Sequence, residues 1–271
     1  RNVRADDFRL KASSPALKAG FKPFDAAQAG VYGARAWRKK AARTRWPEVQ
    51  FAPEPQPFVV LRLDEDFDAM PLKALFPSVA THVENKGDSV AVTDEVAYSG
   101  RHALKVQDAP GLTYAYNPHF TFGCSLTNGV IENRFAVRMQ SGASFFTEWR
   151  DYPEAGGNAY ATGPCLVFSG TRVSARARVK KADGTLQATE RTLADLLADT
   201  WAQVTVTAAV GPSADGQWSV KIARAGQPDV EVKDLFVVNP AWRAMEWRGF
   251  CSGAQSAAAY YLDDFHFGEK K

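Results

Sequence analysis

From Phe58 to Phe267 the chain repeats one pattern: seven to twelve residues in which apolar or β-branched side chains alternate with polar ones, followed by a Gly, Pro, Asn or Asp turn. A period of two puts successive side chains on opposite faces of a strand, so such segments must find a sheet with one face buried. Ten segments fit: 58–67, 89–97, 102–108, 129–140, 163–170, 172–181, 200–210, 217–226, 244–253 and 259–267. Several are long and polar at alternate positions, as expected where one sheet face is wet. The pattern predicts an all-β fold, an antiparallel two-sheet β-sandwich of jelly-roll type, in preference to a closed barrel. Only "RTLADLLAD" (191–199) has helical spacing in this part, and it is read as a short helix.

Residues 1–57 read differently, as an irregular N-terminal arm. Short extended pieces and turns lead to a basic, helix-like stretch, "RAWRKKAARTRWP" (35–47), and then to "PEVQFAPEPQP" (47–57). Four prolines in eleven residues keep that last stretch extended and place a domain boundary near Gln56. The expected domains are therefore 1–57 and 58–271. The 33 basic and 30 acidic residues leave a net charge of only +3, which argues against a nucleic-acid partner. The 35–47 cluster reads as a solvated helix or linker. No apolar run approaches the roughly 20 residues that span a bilayer, so no membrane partner is expected. Cys124, Cys165 and Cys251 lack C-x-x-C spacing, which indicates neither a zinc site nor a disulfide framework.

"DFRLKASSPALKAGFKPFD" (7–25), with the continuation "AGVYG", resembles the closing segment of bacterial right-handed parallel β-helix proteins of the pectate-lyase-like superfamily. A β-helix coil needs stacked neighbours to bury its core. The resemblance therefore implies that the chain is the C-terminal piece of a longer protein with an upstream β-helix domain as partner. It leaves Phe8, Leu10, Leu17, Phe21 and Phe24 as anchors seeking a surface. Residues 58–267 resemble concanavalin A-like and carbohydrate-binding-module jelly rolls, through "DEDFD" (64–68), "AYSGRHALKV" (97–106) and "YYLDDF" (260–265). In such modules these three pieces meet, often around calcium, which takes six to eight oxygens at about 2.3–2.6 Å. Position by position the resemblance implies Asp68, the turn carbonyls of Ser99 and Gly100, and Asp263 or Asp264 as ligands of a structural calcium. The competing reading of the last pair is a turn cap or an Arg partner at Asp264, with Asp263 solvated. A catalytic dyad is disfavoured, because strand neighbours point to opposite faces.

The most function-like stretch is "FFTEWRDYPEAGGNAYATGP" (145–164). Aromatic faces stack on the apolar side of a sugar ring, while planar guanidinium and carboxylate groups bind hydroxyls or an acidic sugar. With Phe145 and Trp149 inward, Glu148 and Arg150 form the outward pair, flanked by Tyr152 and Tyr160 and by Arg138 and Glu132 of the preceding strand. The bland alternative is a cross-strand ion-pair ladder. A loop, "LTYAYNPHFTFG" (112–123), brings Tyr114, Tyr116, Asn117 and His119 to the border of the groove. In "NPAWRAMEWRGF" (239–250), Trp247 is assigned to the core and Trp242 to the surface.

The expected function is a noncatalytic carbohydrate-binding or accessory module of a polysaccharide-active β-helix protein, a lyase or glycosidase, with a polysaccharide or oligosaccharide as partner. The resemblance implies a secreted, periplasmic or cell-surface location. Two alternatives stand beside it: a sandwich that is itself a glycoside hydrolase or lyase, and a purely structural or assembly domain. The hydrolase pattern E-x-D-x-x-E, which would set two carboxyl groups about 5 Å apart, does not occur.

Overall fold

The computed structural model describes residues 10–22, 33–44, 59–76, 79–153 and 159–270. The Pro-rich stretch, Phe8, Phe24 and the Gly-rich piece 154–158 lie outside the described residues. The chain divides into two compact units, Arg1–Pro55 and Gln56–Lys271.

In the first unit, Ser14 caps the short helix α1 (Pro15–Lys18), its Oγ accepting from the Ala16 N–H, and Pro15 suits the first turn. Helix α2 (Arg35–Arg43) carries the basic cluster on exposed positions, and Trp37 beside it is two-thirds exposed.

The second unit is all-β, with fifteen strands in one nearly closed sheet: β1 (Leu63–Glu65), β2 (Ala80–His82), β3 (Ser89–Thr93), β4 (Ala103–Gln107), β5 (His119–Leu126), β6 (Gly129–Met139), β7 (Ser144–Asp151), β8 (Ala161–Ser169), β9 (Arg172–Lys180), β10 (Leu186–Asp195), β11 (Trp201–Val210), β12 (Gln217–Arg224), β13 (Val230–Phe236), β14 (Met245–Ser252) and β15 (Ala259–Glu269). The hydrogen-bonded path runs β2-β5-β14-β7-β8-β9-β13-β12-β11-β6-β15-β4-β3, with β1 added to β15 and β10 to β9. Among the described residues every pairing between these strands is antiparallel, and an isolated bridge between Val59 and Gly123 is parallel. Between β9 and β13 only one residue pair, Arg178 with Phe236, closes the path.

Strand β11 shows the alternation in its plainest form: Ala202, Val204, Val206, Ala208 and Val210 are buried, and the residues between them are half-buried. The sheet folds back so that rings from β5, β7 and β14 meet rings from β6 and β15. Phe250 lies 5.3 Å from Phe135, Phe145 lies 4.2 Å from Tyr260, and Phe120 lies 6.3 Å from Phe265. Such pairs add about 0.5–1.5 kcal/mol each beyond the area they bury.

The helix expected at 191–199 is not there. Residues 191–195 continue β10, whose pairing with β9 slips at Thr192–Ala194, and Leu196 then donates its N–H to Thr171 O. A bulge displaces the apolar side chains by one place, which turns a strand's period of two into an apparent helical one. His119, expected in a loop, is the first residue of β5.

Candidate functional site

Register places the outward side chains of one half of the sheet in rows. His82, His119, Cys251, Phe146, Val167 and Ser174 are successive cross-strand partners. The next row is Thr121, Gly249, Glu148, Cys165, Arg176 and Glu190, and the third is Gly123, Trp247, Arg150 and Thr162. The residues between them on the same strands, Phe120, Phe122, Phe250, Phe145, Trp149 and Leu166, belong to the core. Gly249 matters to this face because a Cβ there would lie 2.2 Å from the Trp247 ring. Without a side chain at that position, the indole lies flat along the strand and reaches Arg150.

Arg150 occupies the centre. Its guanidinium carbon sits 3.9 Å from the Tyr160 ring centroid and 4.0 Å from that of Trp247, so two aromatic faces clamp the planar cation. Nε donates to Glu148 Oε1 at 2.6 Å, and a terminal nitrogen meets the same oxygen. Burial works against the charge, but the Glu148 carboxylate together with Tyr152 and Tyr160 outweighs it, and the guanidinium pKa is raised. The group has five N–H donors; Glu148 engages two of its nitrogens and Tyr152 draws on it as well, so the remainder are left for a ligand. Tyr160 is 44% exposed, and Tyr152 packs edge-on against it at 6.2 Å.

A second aromatic patch adjoins it. Tyr114 and Tyr116 stack at 5.4 Å and are about half exposed, and the Tyr116 ring stands 5.5 Å from His119. His119 in turn stacks on His82 at 4.3 Å. Burial, then the adjacent His82 and Arg150, push the His119 pKa down to about 4, so the imidazole is neutral at pH 7. Glu84 holds the loop beneath: its carboxylate accepts from the N–H groups of Thr113 (2.7 Å) and Tyr114 (2.9 Å), from Asn117 Nδ2 (2.9 Å) and from Lys86 Nζ (2.9 Å). The bonds from Thr113 first, then Tyr114 and Lys86, hold Glu84 far below the usual carboxylate range.

The structure thus brings Glu148, Arg150, Tyr152 and Tyr160 together, and sets Tyr116 and His119 on the same face. It removes Trp242, which is fully buried 6.3 Å from Trp149 and covers Gly163, where no Cβ would fit beneath the indole. Trp247, assigned to the core, is on the open face instead. The two tryptophans exchange roles because Trp242 precedes β14, while Trp247 falls on its outward parity. Arg138 and Glu132 lie on β6, which does not pair with β7; they face Asp199 and Lys270. His82 and Glu84 do not stand out in the sequence, since a three-residue strand carries too little alternation to show itself.

The aspartates of the last strand serve a different purpose. Strand β15 pairs with β4 through Leu262 and with β1 from Phe265, so Asp263 and Asp264 sit where it changes partner, at a bulge with Asp264 at φ +48°. Asp263, the solvated member in the turn-cap reading, is fully buried. Its Oδ2 accepts from the N–H groups of Tyr98 (2.8 Å) and Ser99 (3.2 Å), and its Oδ1 from that of Asp264 (2.7 Å). Asp264 Oδ1 accepts from Ser99 Oγ (2.8 Å). From the other side Asp68 Oδ1 accepts from the N–H groups of Arg101 (2.6 Å) and His102 (3.0 Å). Gly100, at φ +60°, lies against that carboxylate, where a Cβ would overlap Asp68 Oδ2. Of the oxygens implied for calcium, both of Asp263 and one each of Asp264 and Asp68 accept from N–H or O–H donors of the turn. Among the described residues no group of three or more His, Cys, Asp and Glu is placed to hold a metal.

No protein-family model matches the chain, and no curated protein matches its sequence. Solved structures do match in fold. An endo-β-1,4-glucuronan lyase from the fungus Trichoderma reesei is 15% identical, with a TM-score of 0.55 over 77% of this chain and 95% of that one. The alginate lyase Aly36B, in complex with an alginate tetrasaccharide, is 13% identical, with a TM-score of 0.50 over 79% and 98%. A marine PL-14 alginate lyase from Aplysia kurodai is 10% identical, with a TM-score of 0.50 over 73% and 98%. The second unit of this chain therefore shares its β-rich fold with carbohydrate-active proteins, polysaccharide lyases among them.

Proposed function

We propose that the chain is a carbohydrate-binding or accessory module that takes an acidic polysaccharide across the face formed by β5, β14 and β7. The observation that carries this reading is Arg150, whose guanidinium carbon lies about 4 Å from the ring centroids of both Tyr160 and Trp247, with exposed Tyr114 and Tyr116 alongside. A uronate unit offers what that surface takes: an apolar ring face for the aromatics and a carboxylate for the fork of guanidinium donors. The substrates named for the fold neighbours, glucuronan and alginate, are both polymers of uronic acids and support this choice. Affinity electrophoresis against alginate, polyglucuronate and a neutral glucan tests it. Retardation by the acidic polymers alone, weakening as salt is added, is expected; equal retardation by the glucan, or none by any polymer, overturns it.

One observation favours a second reading, lyase chemistry on the same face. His119 stands 5.5 Å from the Tyr116 ring on the face that carries Arg150, and histidine and tyrosine are both side chains that pass protons in such reactions. Incubation with the same polymers separates the two, since a lyase generates an unsaturated product that absorbs in the ultraviolet and a binding module does not.

The finer architecture belongs to the same proposal: a concanavalin A-like jelly-roll sandwich, supported by the single residue pair joining the halves of the sheet and by the rings that meet between them. The phrase at 7–25 supports an upstream β-helix domain as partner and, with it, an extracytoplasmic location. The turn at Ser99 is read as a latch that works without calcium, on the strength of its N–H donors. Melting temperatures in EDTA and in millimolar calcium should coincide; a clear rise with calcium would restore the metal.

A further inference from the structure

We propose that Glu84 is a positioning residue that acts through Asn117 to fix the tautomer of His119, leaving Nε2 as a hydrogen-bond acceptor on the open face. The Glu84 carboxylate is held ionised by four donors and can only accept. The Asn117 atom facing it, 2.9 Å away, must therefore be the amide nitrogen, because the reverse orientation would set two acceptors against each other. Asn117 is buried, so its amide has no room to compromise. Its Oδ1 then faces His119 Nδ1 at 2.7 Å, and since Oδ1 can only accept, Nδ1 carries the proton.

In a neutral imidazole with the proton on Nδ1, Nε2 holds a lone pair. His82, stacked at 4.3 Å, keeps the ring from turning, and Cys251 stands opposite on β14. Nε2 is accordingly an acceptor of fixed direction, suited to a hydroxyl or another polarised hydrogen of a bound sugar, while Arg150 supplies donors nearby. The device gives the face one acceptor beside its cation, so a ligand must present a donor and a carboxylate in a set order. The meaning of that order rests on the proposed sugar-binding role; the tautomer itself does not.

Long-range proton–nitrogen NMR of the histidine side chains in the full chain is the test. Wild-type protein should show His119 with its proton on Nδ1 and an unprotonated Nε2 at pH 7; a proton on Nε2 overturns the proposal without any variant. In Asn117→Ala and Glu84→Gln the His119 signals should move to the Nε2–H form, or to an average of both forms. Unchanged backbone signals from β6 and β11 would show that the fold is kept. Unchanged His119 signals in both variants would sink the relay even if the wild-type tautomer is as stated. With an acidic polysaccharide, each variant should bind about tenfold more weakly, the worth of one hydrogen bond. If wild-type protein binds no polysaccharide yet shows the Nδ1–H form, the binding proposal fails and the positioning role stands. If it binds with the proton on Nε2, the positioning role fails and the binding proposal stands.

Discussion

Asp263→Ala will cost about 3–4 kcal/mol of folding stability, read from urea unfolding midpoints. The carboxylate is fully buried and satisfies three N–H groups, those of Tyr98, Ser99 and Asp264, at the point where β15 passes from β4 to β1. Alanine leaves those donors without an acceptor and releases the turn that Asp68 holds from the other side. The loss also depends on pH. Burial raises the Asp263 pKa from 3.8 to about 6, its three N–H bonds and the neighbouring Asp264 being smaller influences. The folded chain thus binds this proton more readily than the unfolded one, so the group stabilises fully below about pH 4, and that part is lost as pH rises through 6. The difference corresponds to on the order of 3 kcal/mol. The deficit of Asp263→Ala relative to wild type should therefore be larger at pH 4 than at pH 7. A deficit that grows toward neutral pH would contradict the assignment.

Arg248→Met, in contrast, should stabilise the protein by about 1–4 kcal/mol. Arg248 is fully buried on the inward side of β14, and none of its guanidinium nitrogens has a hydrogen-bond partner among the described residues. The cation lies 4.4 Å from the Phe250 centroid and 5.4–5.8 Å from those of Phe122, Phe135 and Phe265. Ring faces return about 2 kcal/mol to a desolvated cation. Taking the charge out of water costs several kcal/mol more, and burial drives the Arg248 pKa well below its ordinary value. Methionine has a similar reach, makes favourable contacts with rings and carries no charge to desolvate. Destabilisation by more than about 1 kcal/mol would show that the arginine is compensated after all.

Strand alternation carried much of the fold. In 145–151 it set Phe145 and Trp149 inward and Glu148 and Arg150 outward; burial follows that parity except at Glu148, which is buried against Arg150. The same rule removed Asp263 and Asp264 as a dyad, although a bulge with a positive φ lies between them and lets both serve one turn. What alternation does not carry is register between distant strands. Nothing in "THVEN" (81–85) shows that His82 stacks on His119, or that Glu84 reaches Thr113 and Asn117, because those contacts depend on how β2 meets β5. The exchange of Trp242 and Trp247 has a similar cause: a large aromatic is as much at home over a glycine on an open face as in a core, and only Gly249 and Gly163 decide between them.

In the proposed function, Arg150 and the aromatics around it recognise a uronate. Calorimetric titration of wild type and Arg150→Met with a uronate oligosaccharide, and of wild type with a neutral glucan oligosaccharide, tests this recognition. Charge-assisted hydrogen bonds worth about 1.5–3 kcal/mol predict saturable binding by wild type that falls about 10- to 100-fold in the variant, with no heat from the glucan. Equal affinity in Arg150→Met, or a glucan that binds as tightly as the uronate, would contradict this recognition.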